Sequence, residues 1–565
     1  MSWIIGANRR TLDKEESEKY CPGKPLFSLE RNGFMILAGG NPRTCWRGTL
    51  PNQEDYIVLG TPAVLRDDTY ISLTEESARA ILPDEEQLRN LDGHYLILVF
   101  GQNGIRAYND PLGKRSLYIR HSGKEIFFTS SLTILRDALR PELDFRALGV
   151  YWHTMFPPSN DRYAPADACY FRDVQVLGTG GKAVLGNSVR IESRLFNPAE
   201  ENRDIYSLLK SFSLLPLSSS ARIAVSLSGG MDIRPLLAVY LGAGADISAI
   251  HYGDDDSSDF RIAKQISSHF HIPFRHISYE VAEGNDAWDQ ALEFKRRWGV
   301  MAPPANAPYL GYYQEVAKDC DAYVSGYFGE LFRFRFFVAH LTSIFKLKKP
   351  GYADLSAYLY RNPARIFVPE INRELQRGYG ESLQRAFEQM PSPAGMGNPK
   401  WFNLFLTRYS PFTVNMPALA ELDCLLVDHM PWLQSAIIAQ HWQQGFLFQL
   451  GEGVHRTLIR RNCPELEKFP LALADVHAPF YFRQYMLKLK MWHYYRRRPL
   501  TRVSRADRFL TINRQNIMDL FQSSRVREYA PYDRQSLESS INAYYQGDTN
   551  QRDALMCWLA VELGR

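Results

Sequence analysis

Along residues 1–195 short apolar runs alternate with Gly, Asp and Asn. The runs 33–37, 56–59, 95–100 and 116–119 have strand length and are rich in aromatic and β-branched or other large apolar residues. They predict a β-rich first domain. From about residue 205 the pattern changes. Strand-like runs at 222–227, 247–252, 273–279 and 321–325 alternate with helix-compatible segments, among them 236–241 and 260–268. This alternation predicts a doubly wound parallel sheet with helices on both faces, an α/β domain that binds ligands at the carboxyl ends of its strands. The polar stretch 197–204 reads as the linker, so the expected domains are 1–195 and 205–565. Beyond about 340 the second domain is expected to be mainly helical.

Composition narrows the picture only slightly. The 565 residues are 45% hydrophobic and 23% charged, with a net charge of +4, ordinary for a globular protein of two to four domains. That balance gives no sign of a nucleic-acid binder, which we expect it is not. The longest mostly apolar stretch, 236–250, is too short to span a bilayer and contains Asp246. The chain start has no long apolar segment of signal-peptide type. Seven scattered cysteines lack CxxC spacing and read as reduced thiols, so the expected compartment is the cytoplasm.

The densest chemical signal is Ser228-Gly229-Gly230-Met231-Asp232, between an apolar strand-like run and a helix-compatible one. Paired glycines let a backbone turn point its N–H groups at phosphate oxygens, and a following helix adds positive potential. Ser228 adds a hydroxyl, and Asp232 can hold a Mg²⁺ that binds phosphate. A Walker loop, GxxxxGK[ST], is absent. Gly178-Thr179-Gly180-Gly181-Lys182-Ala183 fits GxGxxA but precedes an apolar strand-like run, so it predicts a hairpin turn and no dinucleotide site. The basic, aromatic segment 488–498 suits a solvated helix end or a surface for RNA, an acidic leader peptide or partner protein, or an anionic membrane.

The SGGMD turn resembles the SGGxD pyrophosphate loop of the asparagine synthetase-like family, the ATP-pyrophosphatase amide ligases. Four further segments, in the family's order, carry the resemblance: Asn109 to Tyr118 (NDPLGKRSLY); Leu91 to Tyr95 with Phe127 to Ser131; Ser257 to Ala263; and Ser325-Gly326-Tyr327-Phe328-Gly329-Glu330, which is similar to the second pyrophosphate-site turn. The resemblance covers roughly 30–340. It implies an N-terminal Ntn-type, glutaminase-like αββα domain and a C-terminal ATP-pyrophosphatase domain. It also implies Mg-ATP as cofactor and activation of a carboxylate as its acyl-adenylate, which an amine then attacks.

Carried over to these positions, the resemblance implies ATP contacts from Ser226, Leu227, Ser228, Gly229, Gly230, Asp232, His251, Asp259, Gly326 and Gly329. Leu227 and the backbone near Ser226 and His251 are expected at the adenine. Mg²⁺ ligands are expected to be Asp232 and Glu330, and Tyr327 is the expected catalytic group that helps deprotonate the amine. For Asp259 a helix cap is an equal reading, and for Tyr327 packing at a strand end is the alternative.

Several departures bear on function. Residue 2 is Ser2 where glutamine-hydrolysing relatives carry Cys, and the glutamine-holding segment is replaced by Leu59-Gly60-Thr61-Pro62-Ala63-Val64. An inactive glutaminase half is expected, as in β-lactam synthetase and lasso-peptide cyclase-type relatives. Ile233 replaces the usual Ser after Asp232, Phe328 stands where a small residue is common, and the family's C-terminal Lys has no counterpart. Arg333, Arg335 and His477 are the candidates to replace that Lys. The leading expectation is an AMP-forming amide ligase acting on a peptide or small natural-product substrate. Next is an amidotransferase using free or externally supplied ammonia, possibly on a sugar acid; a non-catalytic scaffold is the third.

Overall fold

The computed structural model describes residues 2–8, 18–155, 168–198, 202–219, 221–278, 285–298, 302–333, 351–360, 365–392, 398–409, 425–473, 476–483, 486 and 504–565. The fold is mixed α/β with several sheets. The segments 488–498 and Arg335 lie outside the described residues.

Among the described residues, thirteen strands build two antiparallel sheets. They are β1 (Trp3–Asn8), β2 (Pro25–Arg31), β3 (Phe34–Gly39), β4 (Cys45–Thr49), β5 (Asp55–Arg66), β6 (Thr69–Ser72), β7 (Asp92–Gly101), β8 (Gly104–Asn109), β9 (Tyr118–Ser122), β10 (Glu125–Thr129), β11 (Val174–Val176), β12 (Lys182–Leu185) and β13 (Val189–Glu192). One sheet runs β11-β9-β10-β1-β3-β2; the other runs β13-β12-β8-β7-β5-β4, with β6 on β5.

Side-chain alternation sorts both sheets into layers. Ile4, Ile36, Ala38 and Phe128 of the first sheet meet Ile57, Leu59, Leu96 and Leu98 of the second. The outer face of the second, with Tyr56, Val58, Tyr95 and Ile97, lies under Ala78, Ile81 and Leu88 of two short helices. The outer face of the first, with Trp3, Ile5 and Leu37, packs against Ile134, Leu135 and Leu148 of the helices Leu132–Leu139 and Phe145–Met155. The layers are therefore helix, sheet, sheet, helix.

The 178–183 segment is a turn without a helix, as expected. It is not a hairpin: β11 before it pairs with β9 and β12 after it pairs with β8, so it carries the chain from one sheet to the other. Leu59 to Ala63 forms no loop; it pairs residue for residue with Leu96 back to Asp92 inside β5.

A third sheet is wholly parallel: β14 (Ile223–Ser226), β15 (Ile247–Tyr252), β16 (Phe274–Ile277), β17 (Ala322–Val324) and β18 (Val427–His429), ordered β16-β15-β14-β17-β18. The chain winds outward from β14 to β16, returns to the other side of β14 as β17, and ends on β18. The strand order reverses between β14 and β17, which is where such sheets open a crevice at their carboxyl ends. β18 comes from the region beyond 340, so that region is helical but also contributes a strand to this sheet.

The antiparallel half is tied to the turn that follows β18. Buried Lys114 donates to Leu433 O (2.7 Å) and Gln434 Oε1 (3.1 Å). Asp92 accepts from Ser435 N (3.1 Å), Ser435 Oγ (3.0 Å) and Ala436 N (3.1 Å), satisfying orphan donors at the start of the helix Ser435–Gln443.

Candidate nucleotide and acceptor site

Two glycine turns meet at the reversal point. The first follows β14 and leads into the helix Arg234–Gly242; the second follows β17 and leads into the short 3-10 turn Gly329–Arg333. Their approach explains their glycines. A Cβ at Gly329 would lie 2.8 Å from Asp232 Cβ and Oδ1, and one at Gly326 would lie 2.9 Å from Ile233 N. Both are closer than packed atoms tolerate. Phe328 between them is buried and has φ of 67°, the left-handed region usually left to Gly, Asn or Asp.

In the first turn, Gly230 N donates to Ser228 Oγ at 3.1 Å. A Cβ at Gly230 would meet only that hydroxyl, at 3.2 Å, so the space on that side of the turn is open beyond it. Gly229 faces the other way, against the hairpin of β19 (Leu471–Leu473) and β20 (Val476–Ala478): its carbonyl accepts from Ala472 N at 2.9 Å, and a Cβ there would strike Ala472 Cβ at 2.7 Å. Fully buried Arg234 fixes this arrangement, donating to Gly229 O (3.0 Å), Phe469 O (2.9 Å) and Pro470 O (2.8 Å). Burial lowers its pKa to about 9, with Asp259 opposing, so it stays a cation at neutral pH.

The expected adenine-side residues lie at neighbouring strand ends. Leu227 N donates to Ile250 O (2.8 Å), and the His251 ring Nδ1 lies 2.9 Å from Leu227 O. Burial lowers the His251 pKa, which keeps the ring neutral. Asp259 sits in the first turn of the helix Ser258–His269, but the cap is Ser257, whose Oγ accepts from Phe260 N at 3.0 Å. His477 is exposed on β20.

Asp232 differs from expectation in its surroundings. Arg333 Nη2 donates to its Oδ2, and His455 Nε2 stands 3.5 Å from its Oδ1. Burial would raise the carboxyl's pKa, but Arg333 and His455 together bring it well below the usual range. Its backbone carbonyl accepts from Trp432 Nε1 at 2.8 Å, and the Trp432 ring stacks on His455 at 4.5 Å. Glu330 is close enough to raise the Arg333 pKa, as is Glu452. Asp232 and Glu330 thus do not present a vacant pair of Mg²⁺ ligands, because a guanidinium already holds Asp232. Among the described residues no three His, Cys, Asp or Glu side chains gather as a metal site. The donor set in this arrangement does not fit a resident Mg²⁺.

The other side of the second turn is a wall of tyrosines. Tyr323 of β17 stands in register with Asp428 of β18, so both point to one face of the sheet. On that face Tyr312 donates to Tyr323 Oη (2.9 Å) and stacks on Tyr252 at 4.3 Å, with Tyr309 and Tyr313 alongside. The Tyr327 residue is 42% exposed, yet its hydroxyl is turned in among Tyr309, Tyr323, Tyr313 and Asp428. Burial, Tyr309, Tyr323 and Asp428 raise its pKa well above 10.0, against a hydrogen bond with Tyr313 that lowers it, so it keeps its proton. Asp428 is 2% exposed, neither oxygen has a hydrogen-bond partner among the described residues, and burial pushes its pKa up to about 8. Ser325 Oγ, in the turn between them, is also buried without a hydrogen-bond partner among the described residues.

Sequence reading missed Asp428, His455 and Trp432. The local signal at Asp428 is slight, a carboxylate inside a three-residue strand; only its pairing with β17 makes it conspicuous.

No family model matches the chain, and no curated protein does. Among solved structures it is similar to one described as "structure of the allosteric regulatory enzyme of purine biosynthesis", at 10% identity and a TM-score of 0.23, over 50% of this chain and 82% of that one. A likeness that low bears on neither fold family nor function.

Proposed function

We propose that the chain is an ATP-dependent, AMP-forming carbon–nitrogen ligase of the asparagine synthetase-like kind, with an Ntn-type first domain that braces the second. The observation that carries this reading is the interlock of two glycine turns at the reversal point of the parallel sheet. It leaves an open cradle at Gly230 on one side and the unpartnered Asp428 carboxyl among tyrosines on the other.

In this reading the 228–230 turn and the N-terminus of the helix Arg234–Gly242 take the β and γ phosphates of ATP. Leu227, Ser226 and His251 border the adenine. A substrate carboxylate oxygen attacks the α-phosphorus, the bond to the bridging oxygen breaks, and pyrophosphate leaves. The acceptor amine then attacks the acyl carbon, the bond to the phosphate oxygen breaks, and AMP leaves. The proton lost by the amine goes to Asp428, a carboxyl whose pKa of about 8 suits a base near neutral pH. Tyr327, which retains its proton, orients the nucleophile by hydrogen bonding. No step is assigned to Mg²⁺, because the residues expected to hold it do not fit it.

The tyrosine wall favours an amine carried on a larger substrate over free ammonia, which would need no aromatic surface. The test is AMP release from ATP with a panel of amino-acid, peptide and sugar-acid carboxylates and amines. We expect carboxylate-dependent AMP that becomes amide when the amine is present, with Asp428→Asn stopping after the adenylate. ADP as product, or no carboxylate dependence across the panel, would sink the reading.

A further inference from the structure

Around Asp232 a cationic side chain of the protein stands where a divalent cation is expected. Arg333 is 9% exposed, and its Nη2 donates to Asp232 Oδ2. The neighbouring carboxylates are Glu330, on the same short 3-10 turn, and Glu452, which is itself held by Arg456 through two hydrogen bonds of 3.0 and 2.7 Å. The second oxygen of Asp232 faces Nε2 of His455, a completely buried ring, at 3.5 Å.

This arrangement has two consequences. A divalent ion entering at Asp232 Oδ2 would have to displace the guanidinium, and one held by Oδ1 would sit beside it, charge against charge. The guanidinium, in contrast, already does what the ion would do for the pair of turns: it neutralises Asp232 and links the turn after β14 to the turn after β17. The Asp232 side chain is 25% exposed, so the pair is not sealed in the core.

We infer that Arg333 is the resident counter-charge of this site, and that a phosphate chain binds the 228–230 turn without a metal ion held by Asp232. The inference rests on the ligase reading above and narrows it: the nucleotide-binding step is metal-independent at this position.

The test is calorimetric binding of inorganic pyrophosphate and of α,β-methylene ATP to the full chain, first in EDTA and then in excess Mg²⁺. For wild type we expect affinities that agree within about threefold between the two conditions, less than about 0.7 kcal/mol. Arg333→Met removes the guanidinium from Asp232 and leaves its carboxylate to a cation; it should lose about tenfold or more in EDTA and regain affinity with Mg²⁺. Arg333→Lys, which keeps a point charge, should stay Mg²⁺-independent. Wild-type binding that appears only with Mg²⁺ overturns the inference and leaves the ligase reading standing. Absence of wild-type binding in both conditions overturns both. The wild-type arm decides the matter even if Arg333→Met fails to fold.

Discussion

The Asp428 carboxyl gives a prediction with a definite sign. In the unfolded chain its pKa is the ordinary 3.8; in the folded protein, 2% exposed and unpartnered, it is about 8. Between these values the folded state holds a proton that the unfolded state does not. Stability from this group is therefore complete below pH 3.8 and lost as pH rises through 8. The slope is about 1.4 kcal/mol per pH unit across the interval. From pH 6 to pH 9 the group alone should remove about 2–3 kcal/mol, allowing for partial relaxation of a buried charge. Asp428→Asn removes the titration while keeping the shape. Its amide needs a partner and imposes its own cost of about 1–2 kcal/mol, but that cost does not vary with pH. The assay is urea unfolding of both proteins at pH 6, 7.5 and 9, followed by tryptophan fluorescence. We expect the variant to gain on wild type by about 2–3 kcal/mol between the extremes. A difference constant to within about 0.5 kcal/mol would show that Asp428 titrates in the ordinary carboxylate range, and would remove the raised pKa that suits it to be the base.

Three further outcomes follow from the geometry. Arg234→Met leaves the carbonyls of Gly229, Phe469 and Pro470 without their donor and should cost about 3–5 kcal/mol in urea unfolding; a cost below about 1 kcal/mol would mean the tie is not needed. Gly329→Ala puts a methyl 2.8 Å from the Asp232 side chain, so it should separate the two turns at a cost of about 1–3 kcal/mol and weaken ATP-analogue binding; unchanged affinity by calorimetry would refute the interlock. Tyr327→Phe should slow amide formation by about 10²-fold or more while leaving exchange of labelled pyrophosphate into ATP intact, and equal loss of both would place Tyr327 at the nucleotide instead.

Much of the parallel sheet was legible because its inner strands are apolar runs that end in glycine. β14, β15, β16 and β17 all fall within the runs read as strands. Glycine turns are local features, so Ser228 to Asp232 and Ser325 to Glu330 were visible as sequence. Their interlock was not, since it depends on Cβ-free approach between residues about a hundred positions apart. β18 escaped because Val427-Asp428-His429 is short and polar at its centre; it is a strand only because β17 pairs with it. The Arg333–Asp232 pair was equally hidden. From the chain alone Asp232 reads as a free carboxylate, and only the fold brings a cation to it. The exchange of Asp259 for Ser257 as helix cap is a smaller case: both fit the pattern, and the hydrogen bond to Phe260 N decides.

The central claim is that the turn after β14 is a phosphate cradle, and Gly230 tests it most directly. A Cβ there meets only Ser228 Oγ, at 3.2 Å, which the hydroxyl can relieve by rotating, so Gly230→Val is expected to fold with its γ-methyls entering the cradle. The measurement is calorimetric titration of α,β-methylene ATP, with Mg²⁺ present, into wild type and Gly230→Val. The account predicts saturable wild-type binding that weakens about tenfold or more in the variant, with the unfolding midpoint unchanged. Equal affinities, or a wild-type protein that does not bind, would contradict it.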